Sequence, residues 1–339
     1  MNIRCVVLLL VLSMFVSAAT AQQRWKKLLQ TENDSAYIED HTEDLTVRIY
    51  GSRKYTYYDI VDKRLKEEVL YRPNTSNNLG FGFNYKFIGV NLGFKLPFIN
   101  NDDDKYGKTK YLDLQAHMYL RKLVVDFYGQ YYKGYFLANR RFNSEALTLR
   151  PDMYNTDLGL NVQYIFNDEK FSYRAAYLQN DYQKKSAGSL IVGGEVFAWK
   201  MKGDSALIPS NLGVEGFFDN EPFNRTSSVS IAANIGYAYT LVIKKHFFIT
   251  ASLTGSAGVN RTSLNYLDGR KKRSEFGWQL NNTVRLSAGY NSSKYFIGVH
   301  YVDLVTRSES PVNRTYQTFG TGNLRFSVAK RFKLKKPLF

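Results

Sequence analysis

The sequence predicts an all-β protein, an antiparallel transmembrane outer-membrane β-barrel of about fourteen strands, with twelve as the alternative count. Three observations predict it. Stretches of strand length alternate large apolar residues with Gly, Ser, Thr, Asn and Gln along most of the 339-residue chain. The chain opens with a leader of the kind that directs export. Aromatic residues are abundant, at 26 Tyr and 23 Phe, as the interfacial girdles of a membrane barrel require.

The leader reads MNIRCVVLLLVLSMFVSAATAQQ. Arg4 precedes an apolar run over 6–16, and Ala19 and Ala21 place cleavage after Ala21, so residues 1–21 are read as a signal peptide. The run falls far short of the roughly 20 apolar residues that a spanning helix needs. Residues 22–44 are polar and lack alternation, and are read as a periplasmic N-terminal segment; residues 45–339 are the barrel domain. The single cysteine, Cys5, lies in the leader. The mature chain therefore has neither a disulfide framework nor thiol chemistry.

Mean hydropathy is −0.36, a value typical of a soluble protein. Barrel strands alternate, however, and do not average as hydrophobic. The formal net charge of +16 would point to nucleic acid in a cytosolic chain. Export removes that reading. The expected partners are outer-membrane lipid, including lipopolysaccharide phosphates, and small anionic solutes, with no nucleic acid, no cofactor and a monomeric state.

In order along the chain, Leu45, Val47 and Ile49 alternate with polar neighbours to open the first strand. In GFGFNYKFIGVNLGFKLPF the apolar positions are odd up to Phe87 and even from Val90, so the parity flips at Ile88 and Gly89. Such a flip marks two strands joined by a tight turn. Strands follow at 111–120, 123–130, 158–166, 171–179 (FSYRAAYLQ) and 187–200. Those at 229–241, 247–259, 278–290, 295–301 and 324–332 alternate most regularly.

Short turns near Ile88, Arg121, Asp168, Lys244 and Ser292 alternate with longer connections at 56–77, 98–108, 134–153, 261–275 and 307–315. Outer-membrane barrels have short periplasmic turns and long outer loops. Counting strand directions from a periplasmic N-terminus leaves one outward strand missing before Val229. It is placed within 206–219 and completes the fourteen.

Lys86, Lys95, Asp126, Arg174, Arg285 and Arg325 share parity with the small polar residues of their strands, and so point into the lumen. On the lipid face each would cost about 2–4 kcal/mol at mid-bilayer. Two readings of these lumen charges stay open: a channel favouring anions, or an interior salt-bridge network that plugs the barrel. Basic clusters fall in the expected outer loops. They are Lys63, Arg64 and Lys66; Arg140 and Arg141; Lys184 and Lys185; and Arg270, Lys271, Lys272 and Arg273. Such clusters suit lipopolysaccharide phosphates.

The four histidines are His41, His117, His246 and His300, and none sits in an H-E-x-x-H spacing. No metal site and no catalytic residue is assigned. His300 with Ser287 or Ser327 would follow the triad logic of a lipid-acting hydrolase, but spacing does not establish it and no G-x-S-x-G motif is present. The expected role is porin-like or structural in the envelope. A lipid- or lipopolysaccharide-modifying barrel enzyme and a soluble secreted β binding protein are the alternatives.

The runs SAYIEDHTEDLTVRIY, YRPNTSNNLGFGFNYKFIGVNLGFKLPF and FSYRAAYLQNDYQKKSAGSLIVGGEVF resemble the domain-of-unknown-function 4421 family of Bacteroidetes-type bacteria. The landmarks are Tyr71, Pro73, Asn74, Leu79 and Gly80, then Arg174, Gln183, Lys184, Ser186, Ala187 and Gly188. The resemblance covers roughly Asp34 to the C-terminus. It implies an outer-membrane-type barrel in a Gram-negative bacterium and assigns no activity.

Overall fold

In the computed structural model, which describes residues 32–86, 88–96, 102–139, 147–209 and 213–336, the alternating segments form the wall of a closed antiparallel barrel. A short strand β1 (Ile38–Asp40) precedes β2 (Leu45–Asp62), β3 (Glu67–Arg72), β4 (Asn77–Tyr85) and β5 (Ile88–Lys95). After the one-turn helix α1 (Asp103–Tyr106) come β6 (Lys110–Tyr119), β7 (Leu123–Leu137) and β8 (Leu149–Ile165). A second short helix, α2 (Tyr173–Tyr177), and the strand β9 (Asp181–Gln183) lead to β10 (Ala187–Lys202). Long strands complete the chain: β11 (Phe223–Ile243), β12 (Phe247–Tyr266), β13 (Arg273–Asn291), β14 (Tyr295–Glu309) and β15 (Thr315–Phe332).

The wall closes where β15 pairs β2, from Thr315 opposite Asp62 to Phe332 opposite Leu45. Around the ring the order is β15, β14, β13, β12, β11, β10, β8, β7, β3 and β2, ten strands among the described residues. Three more belong to the sheet but not to the ring: β4 pairs β2, β5 pairs β4, and β6 pairs β7.

The strands β3 and β4 run consecutively along β2, with Tyr71 opposite Tyr58 and Asn77 opposite Arg53. Residues 73–76 leave the ladder between them. Pro73 suits that break because it has no N–H to donate. On one side of the break β3 reaches β7, with Tyr71 opposite Leu137 and Arg72 opposite Phe136. On the other side β4, β5 and β6 fill the gap in the wall. The tight turns, residues 32–44 and the long β8–β10 connection lie at one end, here the terminal end, and the remaining strand reversals lie at the other, the loop end.

The outward face carries the apolar alternation. On β11, Val229, Ile231 and Ile235 are 63%, 60% and 60% exposed, while Ser230, Asn234 and Thr240 are buried. On β12, Ile249 and Leu253 are exposed while Thr250, Ser252 and Thr254 are buried. So wide an exposed apolar band is incompatible with a monomeric soluble protein. Lipid accommodates it, and a closed ladder leaves the ring's backbone groups satisfied inside hydrocarbon. The barrel is therefore a membrane-spanning one. Among the described residues no helix is long and apolar enough to cross, and the crossing is made by strands.

The interior has three zones. At the loop end it is apolar: Tyr58, Tyr71, Tyr132, Trp199, Phe217 and Phe218 are buried in one cluster. The connection between β10 and β11 folds into this mouth, where Tyr71 Oη donates to the Leu207 carbonyl at 2.7 Å and the Phe218 N–H donates to Asp62 at 3.0 Å. The middle zone is polar. At the terminal end the segment between β8 and β10 folds inward as a plug, with Tyr173, Ala175, Ala176 and Tyr177 of α2 all buried.

Ser172 caps α2 by accepting from the Ala175 N–H at 3.2 Å. Tyr173 Oη meets Ser252 Oγ of the wall at 2.7 Å, and Asn291 Nδ2 donates to the Ala175 carbonyl at 3.2 Å. The N-terminal segment joins the plug through β1, which pairs β9 in a separate two-stranded sheet. Residues 32–44 are thus docked on the plug at this end.

Three expectations are corrected. The stretch 171–179 is not a wall strand; it carries α2, and its apolar residues are buried because a lumen plug is surrounded on every side. Residues 206–209 and 213–219 contain no strand: they form the mouth connection, with a 3-10 turn at Phe217–Asn220. These two differences cancel. Without the outward strand at 171–179, β10 itself runs from terminal to loop end, and β11 returns without a missing partner. The third is the connection at 56–77, which is largely strand, being the end of β2 followed by β3. Neither the fourteen-strand nor the twelve-strand count describes the ten-strand ring with its three additional strands.

Candidate anion-binding cavity

The alternation of β2 aims Val47 and Ile49 outward, so Arg48 between them points inside, where it is 1% exposed. Its Nη1 donates to Gln179 Oε1 of the plug at 2.6 Å, and its Nη2 to Asn84 Oδ1 of β4 at 2.5 Å. The Nε has no partner. On β15, Arg325 lies opposite His300 of β14 and holds its guanidinium 4.7 Å from the centre of the Tyr50 ring. Its Nε is also without a partner. Among the described residues no carboxylate pairs with Arg48 or Arg325.

The neighbouring charges are treated differently. Asp126 Oδ2 accepts from Arg285 Nη2 at 2.5 Å, and both side chains are fully buried. His117 Nδ1 at 2.7 Å and Asn161 Nδ2 at 3.1 Å complete the carboxylate's shell. A buried charge is tolerated when it is paired and hydrogen-bonded in this way. Arg48 and Arg325 are cations with only neutral partners.

They line a cavity of about 470 Å³ together with Asn84, Gln115, His117 and His300. His300 Nδ1 lies 3.1 Å from Ser287 Oγ, and its Nε2 lies 3.4 Å from Gln179 Nε2. Of the two serines that the sequence left open for His300, Ser287 is the one beside it. Among the described residues no acidic side chain orients this imidazole, and arginine is its charged neighbour.

The six expected lumen charges do not make one site. Asp126 and Arg285 meet, and Arg325 lines the cavity. Arg174 is not on a strand: it sits on α2 and pairs with Asp181 at 3.0 Å and Asp40 at 3.4 Å. Lys86 occupies the β4–β5 turn at φ 52°, with Glu43 at 4.0 Å, and also lines the cavity at its terminal end. Lys95 is exposed on β5.

Arg121 also reaches Asp40, at 2.7 Å. Burial pushes the Asp40 carboxyl up, but the Thr42 hydroxyl, Arg174, the Thr42 N–H and Arg121 outweigh it and hold the group below the ordinary carboxylate range.

The basic clusters are also redistributed. Lys184 and Lys185 follow β9 at the terminal end, where Lys185 Nζ lies 5.3 Å from the Tyr37 ring centre, so they are not in an outer loop. Arg64 is neutralised by Asp62 at 2.7 Å and Asp219 at 2.5 Å. Arg270 pairs with Asp268 at 2.7 Å and Glu221 at 3.2 Å, and Arg273 with Glu275 at 3.0 Å. Lys271 and Lys272 are exposed at the loop end. Arg140 and Arg141 lie outside the described residues.

Sequence reasoning missed Arg48 and Gln179, while the alternation of β4 sends Asn84 into the lumen, where it lines the cavity. The parity of Arg48 against Val47 and Ile49 was a usable signal for its inward direction. Gln179 gave none, because it belongs to the segment read as a strand.

The fold and the cavity define a plugged membrane β-barrel with an uncompensated cationic pocket in its terminal half. The chain belongs to the DUF4421 family, described as a domain of unknown function, whose profile matches residues 32–332. No curated protein matches the chain. Among solved structures it is similar to the outer membrane protease OmpT from Escherichia coli, at 9% identity and a TM-score of 0.39 over 87% of this chain and 98% of that one. It is also similar to the translocator domain of the autotransporter NalP from Neisseria meningitidis, at 12% identity and 0.31 over 95% and 98%. A third is the outer membrane protein OprG from Pseudomonas aeruginosa, at 10% identity and 0.26 over 87% and 99%. At such scores the likeness assigns neither a function nor a residue role to this chain.

Proposed function

We propose that this protein is an outer-membrane barrel that binds a small anionic group at Arg48 and Arg325 and does not act as an open porin. The single observation that carries the reading is that both cations face one cavity without a carboxylate partner. A solvated oxyanion supplies the missing charge, and the guanidinium fork suits it. The packed loop-end mouth and the terminal-end plug support a closed resting state. The exported leader and the lipid-facing wall support outer-membrane residence, with the loop end outside. There the exposed Lys271 and Lys272 are available to lipopolysaccharide phosphates.

The test has two arms on the purified full chain. In planar bilayers the native protein is expected to give no steady conductance; porin-like conductance would overturn the closed state. Calorimetric titration with butyrate, a short soluble carboxylate, is expected to give binding that is lost in Arg325→Gln. Arginine-independent binding, or none, would overturn the anion site.

A second reading, an acyl-ester hydrolase, is favoured by the 3.1 Å contact between His300 and Ser287. Hydrolysis of a p-nitrophenyl acyl ester that disappears in both His300→Ala and Ser287→Ala would select it.

A further inference from the structure

Every other neighbouring pair of long wall strands is joined by a ladder, but β5 bonds only to β4 and β6 only to β7. Among the described residues no ladder joins β5 to β6. This is a seam in the wall. Backbone N–H and C=O groups left without a ladder are costly in hydrocarbon, so an unpaired edge at membrane depth calls for an explanation.

Towards the loop end the seam is bounded. The pairing of β3 with β7 spans it, and Thr109 Oγ1 donates to the Gly134 carbonyl at 2.8 Å while accepting from the Asn74 N–H at 2.8 Å.

The cavity runs through this seam. Its lining includes five consecutive residues of β6: Gln115, Ala116, His117, Met118 and Tyr119. Successive residues of a strand point to opposite faces. A cavity that touches both faces of one strand must pass around that strand's edge, and the free edge of β6 is the one towards β5. From β5 the lining takes, among the described residues, Gly89 and Asn91, small or polar residues that leave the passage open.

Its two ends differ in chemistry. The inner end holds Arg48 and Arg325. The outer end is lined by Met118 and Phe127, which are 49% and 40% exposed on the lipid face.

We propose that the seam between β5 and β6 is a lateral entrance through which a single-chain acyl carboxylate passes from the bilayer, its head on Arg48 and Arg325 and its chain along Met118 and Phe127. This rests on the anion-binding reading above and adds the source and class of the ligand. A carboxylate matches the planar guanidinium fork. The volume lies within the roughly 300–1,000 Å³ of ordinary small-molecule pockets, which suits one head and one chain.

The test uses the full chain in proteoliposomes with a palmitate that carries a photoreactive group on its chain, and adducts are mapped by mass spectrometry. Adducts are expected to concentrate on β5, β6 and Phe127 and to fall at least tenfold in Arg325→Gln. Ala116→Trp, which fills the outer mouth from the lipid side, is expected to abolish these adducts; heat-modifiable gel mobility checks that the variant is folded. Adducts spread evenly around the barrel, or adducts that survive Ala116→Trp, would overturn the entrance. Butyrate binding that persists alongside such a result would leave the anion site standing, and its loss in the native protein would remove both. A two-tailed phospholipid probe labelling with the same arginine dependence would overturn the single-chain assignment.

Discussion

Asp126 and Arg285 meet at 2.5 Å across the lumen, from β7 and β13, with neither side chain exposed. The pair braces opposite parts of the wall. Removing one member leaves a buried charge without its partner, at a cost of about 3–5 kcal/mol. Arg285→Met is therefore expected to lower the urea midpoint of the lipid-reconstituted barrel, and Asp126→Asn added to it to recover much of the loss. A double variant as weak as the single one would show that the charge pairing is not what matters.

Arg325 is expected to respond with the opposite sign. With no carboxylate to strand, Arg325→Met removes an unpaired charge from the interior, so thermal stability without ligand should stay level or rise. A fall comparable with that of Arg285→Met would mean that Arg325 has a partner holding it.

The plug is expected to loosen in acid. The folded pKa of Asp40 lies below its ordinary value of 3.8, so its contribution to docking is fully present above that value and is lost as pH falls through the lowered one. Hydrogen-exchange protection at Ile38, Glu39 and Asp40, taken relative to the intrinsic amide rate at each pH, should fall on going from pH 7 to about pH 3. In Asp40→Asn, protection should already be low at pH 7 and should change less with pH.

Gly320 and Gly322 lie beneath the rings of Tyr57 and Tyr55, where an added Cβ would come within 2.1 Å and 2.3 Å of ring carbons. The Tyr55 hydroxyl donates to Asp303 at 2.5 Å, which holds its ring across the closure strand. Gly322→Val is expected to cost about 1–3 kcal/mol by overpacking. The denaturation midpoint reads it, and Tyr55→Ala in the same chain should relieve part of the cost.

Much of the wall was legible because a lipid-facing strand must alternate. Val229, Ile231 and Ile235 could hardly be read otherwise. The plug was not legible, since FSYRAAYLQ is surrounded by protein and keeps no polar face to give a helical or strand period away. Its misreading as a strand created the apparent gap filled at 206–219, so one non-local fact generated two local errors.

The site was half legible. Parity sent Arg285, Asp126 and Arg325 inward. Which of them would find a partner was decided by contacts as distant as the 159 positions separating Asp126 from Arg285, and no local pattern carries that.

The bridge from β3 to β7 has a mechanical consequence. It completes the hoop without β4, β5 or β6, so hoop tension around the cylinder does not pass through the β5–β6 edge. Those three strands hang as door leaves in a frame that is already rigid. Parting β5 from β6 breaks no ladder among the described residues, and the rest of the circumference need not change its register.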